Sequence, residues 1–436
     1  MVVDRTVDNP VNCRLLTVDY PFRIAWFSPL PPVRSGIADV NAELLRRLDA
    51  AFSIDRYDEP RAHDFIWRHL RAPYDLVVYQ LGNASCHDFI WAYLARFPGL
   101  AVIHDPTLHH ARARMLLGQR RFDDYRREFW FDHPDASRDF VEYAVEGLGG
   151  PIYYFWSMLP VVIKTARAVA VHNERVAADL RDEFPRTPIE AIHLGTSRVE
   201  AGAATRAAAR GALGYDEAAI VFAAFGKVTS EKRIGPILRA VAALVGRGVN
   251  ARLLLVGDAS DYPSLHDELI GHGVADRVLV SGFVDDDALA GYLAAADVCV
   301  CLRWPTARET SASWLQCLSA SRPTIISDLA HTADVPATVA IRIDLLDEDE
   351  ALRGAMHRLA TDAGLRDDLA RAGHAYWAAN HTIDVMADDY RRIIRQAAAL
   401  PIPAPPPDLP PHFTDDYSGM ARSVASQFGV PIEFLD

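Results

Sequence analysis

The sequence predicts an α/β protein made of two doubly wound parallel sheets facing a central cleft. Three observations carry that expectation. Short apolar runs rich in β-branched residues alternate with helical stretches from residue 22 to about 195. The alternation breaks near Thr196, crosses the alanine-rich stretch RVEAGAATRAAARGALGYDEAA, and starts again at AIVFAAFG. Residues 296–328 read as strand, polar loop, helix and strand, and loops of that kind are where α/β sheets bind ligands, anions above all.

Residues 1–20 show no pattern and are taken as an N-terminal tail. The first domain is placed at 21–197. Its strands are FRIAWFS, YDLVVYQLG, LAVIHD, AVAVHN and EAIHLG, and a helix is expected from about Ile37 to Asp49 after the loop PLPPVRSG. Residues 111–160 interrupt the alternation. They read as a helical insertion, rich in arginine and then in aromatic residues, that covers a core, binds an acceptor or meets a membrane surface. The second domain is placed at 198–382, with strands AIVFAAFG, ARLLLVGD, RVLVSGFV, DVCVCL, PTIISD and one near VAIRID. Ser313 with Gln316 fits an S-x-x-Q capping box, so a helix is expected to start at Ser313. A helix at 383–400 is expected to return to the first domain. Residues 401–436 are a proline-rich, polyproline-like linker and a tail.

Composition narrows the class. A net charge of −13 argues against a general nucleic-acid binder, which would carry a basic excess. Cys13, Cys86, Cys299, Cys301 and Cys317 are odd in number and lack metal-ligand spacing, which points to reduced thiols in a cytoplasmic protein. No signal peptide is evident. The apolar stretch 153–163 is too short to span a membrane and contains Pro160. Membrane contact is therefore expected to be peripheral at most.

Lysine usage singles out one place. Only Lys164, Lys227 and Lys232 occur among 45 basic residues, and two of them lie five apart at a strand–helix junction. Lys227 at the strand end and Lys232 in the first turn of the helix can reach one anion, with help from the helix dipole. No Walker loop is present. In the 296–328 stretch, Glu309 can accept hydrogen bonds from sugar hydroxyls or simply complement the helix dipole. Thr310, Ser311 and the backbone amides that follow can hold phosphate oxygens. His104 and Asp105 close a strand, where a histidine donates to a substrate oxygen, orients a carboxylate or serves the fold. Gly36 permits close backbone approach or is a plain turn glycine. Asn83 and His87 line an acceptor pocket or cap a helix. His109 and His110 are weak evidence for metal, and no metal site is expected.

The segments FSPLPPVRSGIADV, YQLGN with His87, VIHDPTLHH, FGKVTSEKRIGPILRA, LLLVGD, SGFVDDDALAGYLAAADVCVCLRWPTARETSAS and CLSASRPTIISD resemble, in order, the retaining glycosyltransferases of family four, with the GT-B fold. The likeness covers roughly residues 22–395. It implies that Lys227 and Lys232 hold the donor diphosphate, and that Gly36 lies in the glycine-containing first loop. It places His104 near the transferred sugar, Phe283 and Val284 against the nucleotide base, and Glu309 on the donor sugar as the first glutamate of the E-x7-E motif. The motif is altered here. Six residues rather than seven separate Glu309 from Gln316, which stands where the second, ribose-binding glutamate belongs, and T-S-A-S replaces Gly-Phe-Gly.

The resemblance implies a metal-independent transferase without cofactor. It would move a hexose from a UDP- or GDP-sugar to a carbohydrate, lipid or natural-product hydroxyl with retention. Asn83, His87 and Asp105 would lie on the acceptor side, and His104, Glu309 and Lys232 would act in catalysis. The alternatives are a non-catalytic GT-B scaffold, and a sugar-nucleotide epimerase or phosphorylase. The oligomeric state is left open.

Overall fold

The computed structural model describes residues 22–33, 35–150, 152–415 and Gly429. The tail 1–20 and nearly all of the chain beyond 415 lie outside the described residues. The first sheet holds β1 (Arg23–Phe27), β2 (Ser53–Tyr57), β3 (Leu76–Leu81), β4 (Leu100–Ile103), β5 (Ala168–Val171) and β6 (Ile189–Ala191), in the order β2-β1-β3-β4-β5-β6. The second holds β7 (Ile220–Phe225), β8 (Ala251–Val256), β9 (Val278–Val280), β10 (Val298–Cys301), β11 (Thr324–Ser327) and β12 (Ala340–Ile343), in the order β12-β11-β10-β7-β8-β9. Neighbouring strands are parallel throughout both sheets. Strand order reverses between β1 and β3 in the first sheet and between β7 and β10 in the second. The carboxyl ends at those reversals are where ligands of such sheets sit.

β2 has no counterpart in the sequence reading. It is an edge strand, paired only with β1, and its sequence SIDRY buries just Tyr57 fully, so it carries no apolar run. The central strands β3, β4 and β5 are buried along their whole length, which is why they stand out as continuous apolar runs.

Residues 111–160 are helical, as expected. Helices His109–Gly118, Phe122–Asp132 and Arg138–Val145 pack on a small core of their own that includes Leu116, Tyr125, Phe129 and Val141. The arginines of this insertion do not form an open basic face. Arg112, Arg114, Arg121, Arg126 and Arg127 each pair with a carboxylate, and the Arg112–Glu128 pair is fully buried.

Helix Ile383–Ala399 packs on the first sheet. Met386, Tyr390 and Ile394 join Trp26 and Val78 in one cluster, and the Tyr390 hydroxyl donates to Gln80 Oε1 at 3.2 Å. Within and just after the proline-rich stretch, Leu409 and Phe413 enter the core of the first lobe, and His412 Nε2 lies 2.7 Å from Glu128 Oε1. This stretch therefore docks. Among the described residues no helix is long and apolar enough to cross a membrane.

The alanine-rich connector forms helix Ala203–Ala212. It is fastened to the second sheet by Asp297, which pairs with Arg206 and Arg210 and accepts from the Val221 amide at 2.8 Å. Arg210 is 7% exposed, so removing its carboxylate leaves a buried charge unpaired. Asp297→Ala is expected to lower stability in urea by about 3 kcal/mol. A loss below about 1 kcal/mol would show that the connector is held by packing alone.

Candidate functional site

Both strand-order reversals open onto one crevice between the lobes. Two adjoining cavities, of about 380 and 650 Å³, share Ser35, Gly36, Gly226, Lys227 and Ser313. The smaller is lined by His104, Asp105 and His172 from the first lobe and by Lys232, Arg303 and Glu309 from the second. The larger reaches Gly257, Phe283, Val284 and Gln316.

The two lysines meet in the smaller cavity, each held on an internal partner. Lys227 Nζ pairs with Asp261 at 2.5 Å, both side chains about half exposed. Lys232 Nζ donates to the backbone carbonyl of Phe225, the last residue of β7. Gly226 makes that contact possible. Its φ is +84°, and a Cβ there would lie 2.7 Å from Lys232 Nζ. Burial, and then the nearby Arg303 guanidinium, bring the Lys232 ammonium down to about 7.

Lys232 does not sit in the first turn of the helix, as the sequence suggested. It closes a 3-10 turn, Ser230–Lys232. Arg233 then takes a left-handed conformation, φ 58°, before helix Ile234–Gly246 begins. The turn aims Lys232 back at the strand end rather than along the helix.

Glu309 is fixed from two sides. Arg303 Nε pairs with Oε1 at 2.9 Å, and the Thr306 hydroxyl donates to Oε2 at 2.8 Å. Besides His172, Arg303 is a site residue the sequence did not single out. It stands two residues past β10, in the loop already singled out, but one arginine in a chain where arginine fills nearly every basic position carries no signal.

The helix after Glu309 is Ala312–Ser319, and its cap is Ser311, whose Oγ accepts from the Trp314 amide at 3.3 Å. The S-x-x-Q capping box at Ser313 is therefore corrected. The backbone leaves helical geometry at Ser311, two residues earlier, so Ser313 already lies in the first turn. Gln316 is released from a capping role and lines the larger cavity with Phe283 and Val284. Thr310 is not open to a phosphate through its hydroxyl, which donates to the His172 carbonyl at 2.8 Å and ties the lobes together.

On the first lobe, the His104 ring lies between Gln80 Oε1, 2.7 Å from Nε2, and His172 Nε2, 3.1 Å from Nδ1. Burial holds it neutral, well below the usual histidine range. Asp105 Oδ2 accepts from the Asn83 amide at 2.7 Å. Burial, reinforced by Glu309, raises its carboxyl to about 6.

Asn83 and His87 serve this loop rather than an open pocket. The Asn83 side chain donates to the Thr107 carbonyl at 2.7 Å and accepts from the Ala111 amide at 3.1 Å. The His87 ring is fully buried against the Gln80 carbonyl at 2.8 Å, so the expectation that it faces an acceptor does not hold. Gly36 opens helix Gly36–Leu48, and nothing lies within 4 Å of where its Cβ would be. No group of His, Cys, Asp or Glu among the described residues is arranged to hold a metal ion.

Residues 219–362, which span the second sheet, match the family described as Glycosyl transferases group 1. The second lobe is similar to that family. Alpha-D-kanosaminyltransferase of Streptomyces kanamyceticus is 24% identical over 243 residues, which are 54% of this chain and 61% of that protein. The chain thus spans about three fifths of that relative's length. Among solved structures, sucrose-phosphate synthase of Thermosynechococcus elongatus superposes with a TM-score of 0.64 at 17% identity, over 86% of this chain and 98% of that one. Anabaena HepE in complex with UDP and glucose gives 0.60 at 13%, over 86% of this chain and 100% of that one. The fold is GT-B.

Burial holds His87, His172 and His381 near a pKa of about 4, below the 6.5 of a free histidine. The unfolded chain binds more protons between those values, so stability should fall as pH drops from about 6.5 to about 4. Urea midpoints at pH 7, 6 and 5 measure this. His172→Gln should recover about 2 kcal/mol of the acid loss between pH 7 and 5. An unchanged pH slope in that variant would show that His172 does not titrate on unfolding.

Proposed function

We propose that the chain is a retaining glycosyltransferase that moves a hexose from a nucleoside-diphosphate sugar to an acceptor hydroxyl. The observation that carries this reading is the meeting of Lys227 and Lys232, two of only three lysines, in one cavity at the β7–β10 reversal. A diphosphate there would draw both ammoniums from their internal partners. The amino end of helix Ala312–Ser319 adds backbone donors and a favourable dipole. The nucleoside would lie in the larger cavity by Phe283, Val284 and Gln316. The sugar would face Glu309 and His104, and Asp105 would receive the acceptor hydroxyl. UDP is the first donor base to test, since it is the nucleotide in the Anabaena structure.

In the proposed reaction the bond from the anomeric carbon to the diphosphate breaks as the acceptor oxygen bonds to that carbon from the same face. The acceptor proton passes to a donor phosphate oxygen. Lys227, Lys232 and the helix amides meet the charge growing on the leaving group. With two ammoniums in that role we expect no metal requirement, so turnover should be unchanged by EDTA.

One observation favours a second reading. Gln316 replaces the glutamate expected to hold ribose, and a non-catalytic scaffold would tolerate that change. Calorimetry with UDP separates the two, because a scaffold has no need to bind it.

Lys232→Ala should reduce turnover at least about a hundredfold while leaving the fold intact by circular dichroism. Lys232 loses its proton as pH rises through about 7, so kcat/KM for the donor should fall above that pH. Lys232→Arg should move this alkaline limb upward. Full turnover in Lys232→Ala would overturn the assignment.

A further inference from the structure

Three of the cysteines gather where β10 packs against the helix that follows the 302–311 loop. Cys299 and Cys301 lie on one face of β10, and Cys317 lies on helix Ala312–Ser319. The Cys301 and Cys317 sulfurs are 4.0 Å apart. Cys299 and Cys317 are fully buried. Cys301 is partly exposed and lines a third cavity, of about 240 Å³, together with Lys232, Arg303, Glu309 and Trp314. A small oxidant entering from the crevice therefore meets Cys301 first.

We propose that Cys301 and Cys317 form a redox modification site, at which a hydroperoxide links them in a disulfide between β10 and helix Ala312–Ser319. The Cys301 sulfur attacks the peroxide, the O–O bond breaks, Cys301 becomes a sulfenic acid, and the proton from its thiol goes to the leaving alkoxide, which departs as an alcohol. Cys317 then attacks the Cys301 sulfur. An S–S bond forms, and the displaced hydroxide takes the Cys317 proton to leave as water. Two thiols supply the two electrons that reduce the hydroperoxide to alcohol and water.

The sulfurs must approach by about 2 Å to reach bonding distance. That movement draws helix Ala312–Ser319 toward the end of β10, and Ser313 and Gln316, which line the donor side of the crevice, move with it. The inference goes beyond the proposed transferase activity. It uses that reading only for its consequence, a weakened nucleotide site.

The test treats the full chain with tert-butyl hydroperoxide and maps the unreduced digest by tandem mass spectrometry. The expected result is a Cys301–Cys317 linkage with loss of two hydrogens, reversed by dithiothreitol. Cys317→Ala should instead leave a Cys301 sulfenic acid that dimedone traps, and Cys301→Ser should abolish the linkage if the first variant fails to fold. UDP affinity by calorimetry should fall about tenfold on oxidation of the wild-type chain and return on reduction, and should not change in Cys317→Ala. Sulfinic or sulfonic acid at Cys301 without linkage, a Cys299–Cys301 link, or thiols that stay reduced would overturn the proposal. Linkage with unchanged UDP affinity would overturn its consequence. A reduced protein that does not bind UDP at all would count against the transferase reading and leave the mapped linkage standing.

Discussion

The arrangement depends on one enclosed ammonium. Lys232 rests on the Phe225 carbonyl, and among the described residues no carboxylate lies within 4.0 Å of its Nζ. A charge held this way is disfavoured by burial and by its Arg303 neighbour, and it comes down to about 7. The structure tolerates it because the surroundings are otherwise balanced. Arg303 is matched by Glu309, which is matched again by Thr306. A dianionic ligand would reverse the electrostatics around Lys232, so the same feature that costs stability in the free protein would favour a diphosphate.

The second constraint is the seam. The Thr310 hydroxyl donates to the His172 carbonyl and Asn173 donates to the His331 carbonyl, both at 2.8 Å. Arg308 reaches Asp179 at 3.3 Å and Arg175 reaches Asp334 at 2.9 Å. These contacts come from the end of β5 and the helix Glu174–Glu183 on the first lobe, and from the stretches that follow β10 and β11 on the second. They set His104 and Asp105 opposite Glu309 across the smaller cavity. Helix Ile383–Ala399 adds to this from behind, because Tyr390 touches Gln80, which touches His104. Positioning of the crevice histidine thus runs through a side chain nearly three hundred positions away in sequence.

Much of this was legible in the sequence where burial leaves a simple trace. Fully buried parallel strands show as β-branched runs, and the scarcity of lysine marked two residues that do converge. Legibility failed where the deciding contacts are not local. β2 is an edge strand with a polar sequence. Ser311 rather than Ser313 caps its helix because the backbone turns two residues earlier. His87 is a buried partner of the Gln80 carbonyl, and spacing cannot separate such a histidine from one that faces a ligand. Arg303 is invisible among so many arginines, and the internal acceptors of Lys227 and Lys232 are set by tertiary structure.

The most direct test of the central claim is a crystal structure of the chain with UDP bound. The account predicts the diphosphate in the cavity between His104 and Glu309, with Lys232 Nζ moved from the Phe225 carbonyl to a phosphate oxygen and Lys227 released from Asp261. A nucleotide bound elsewhere, or bound there with both lysines still on their present partners, would contradict it.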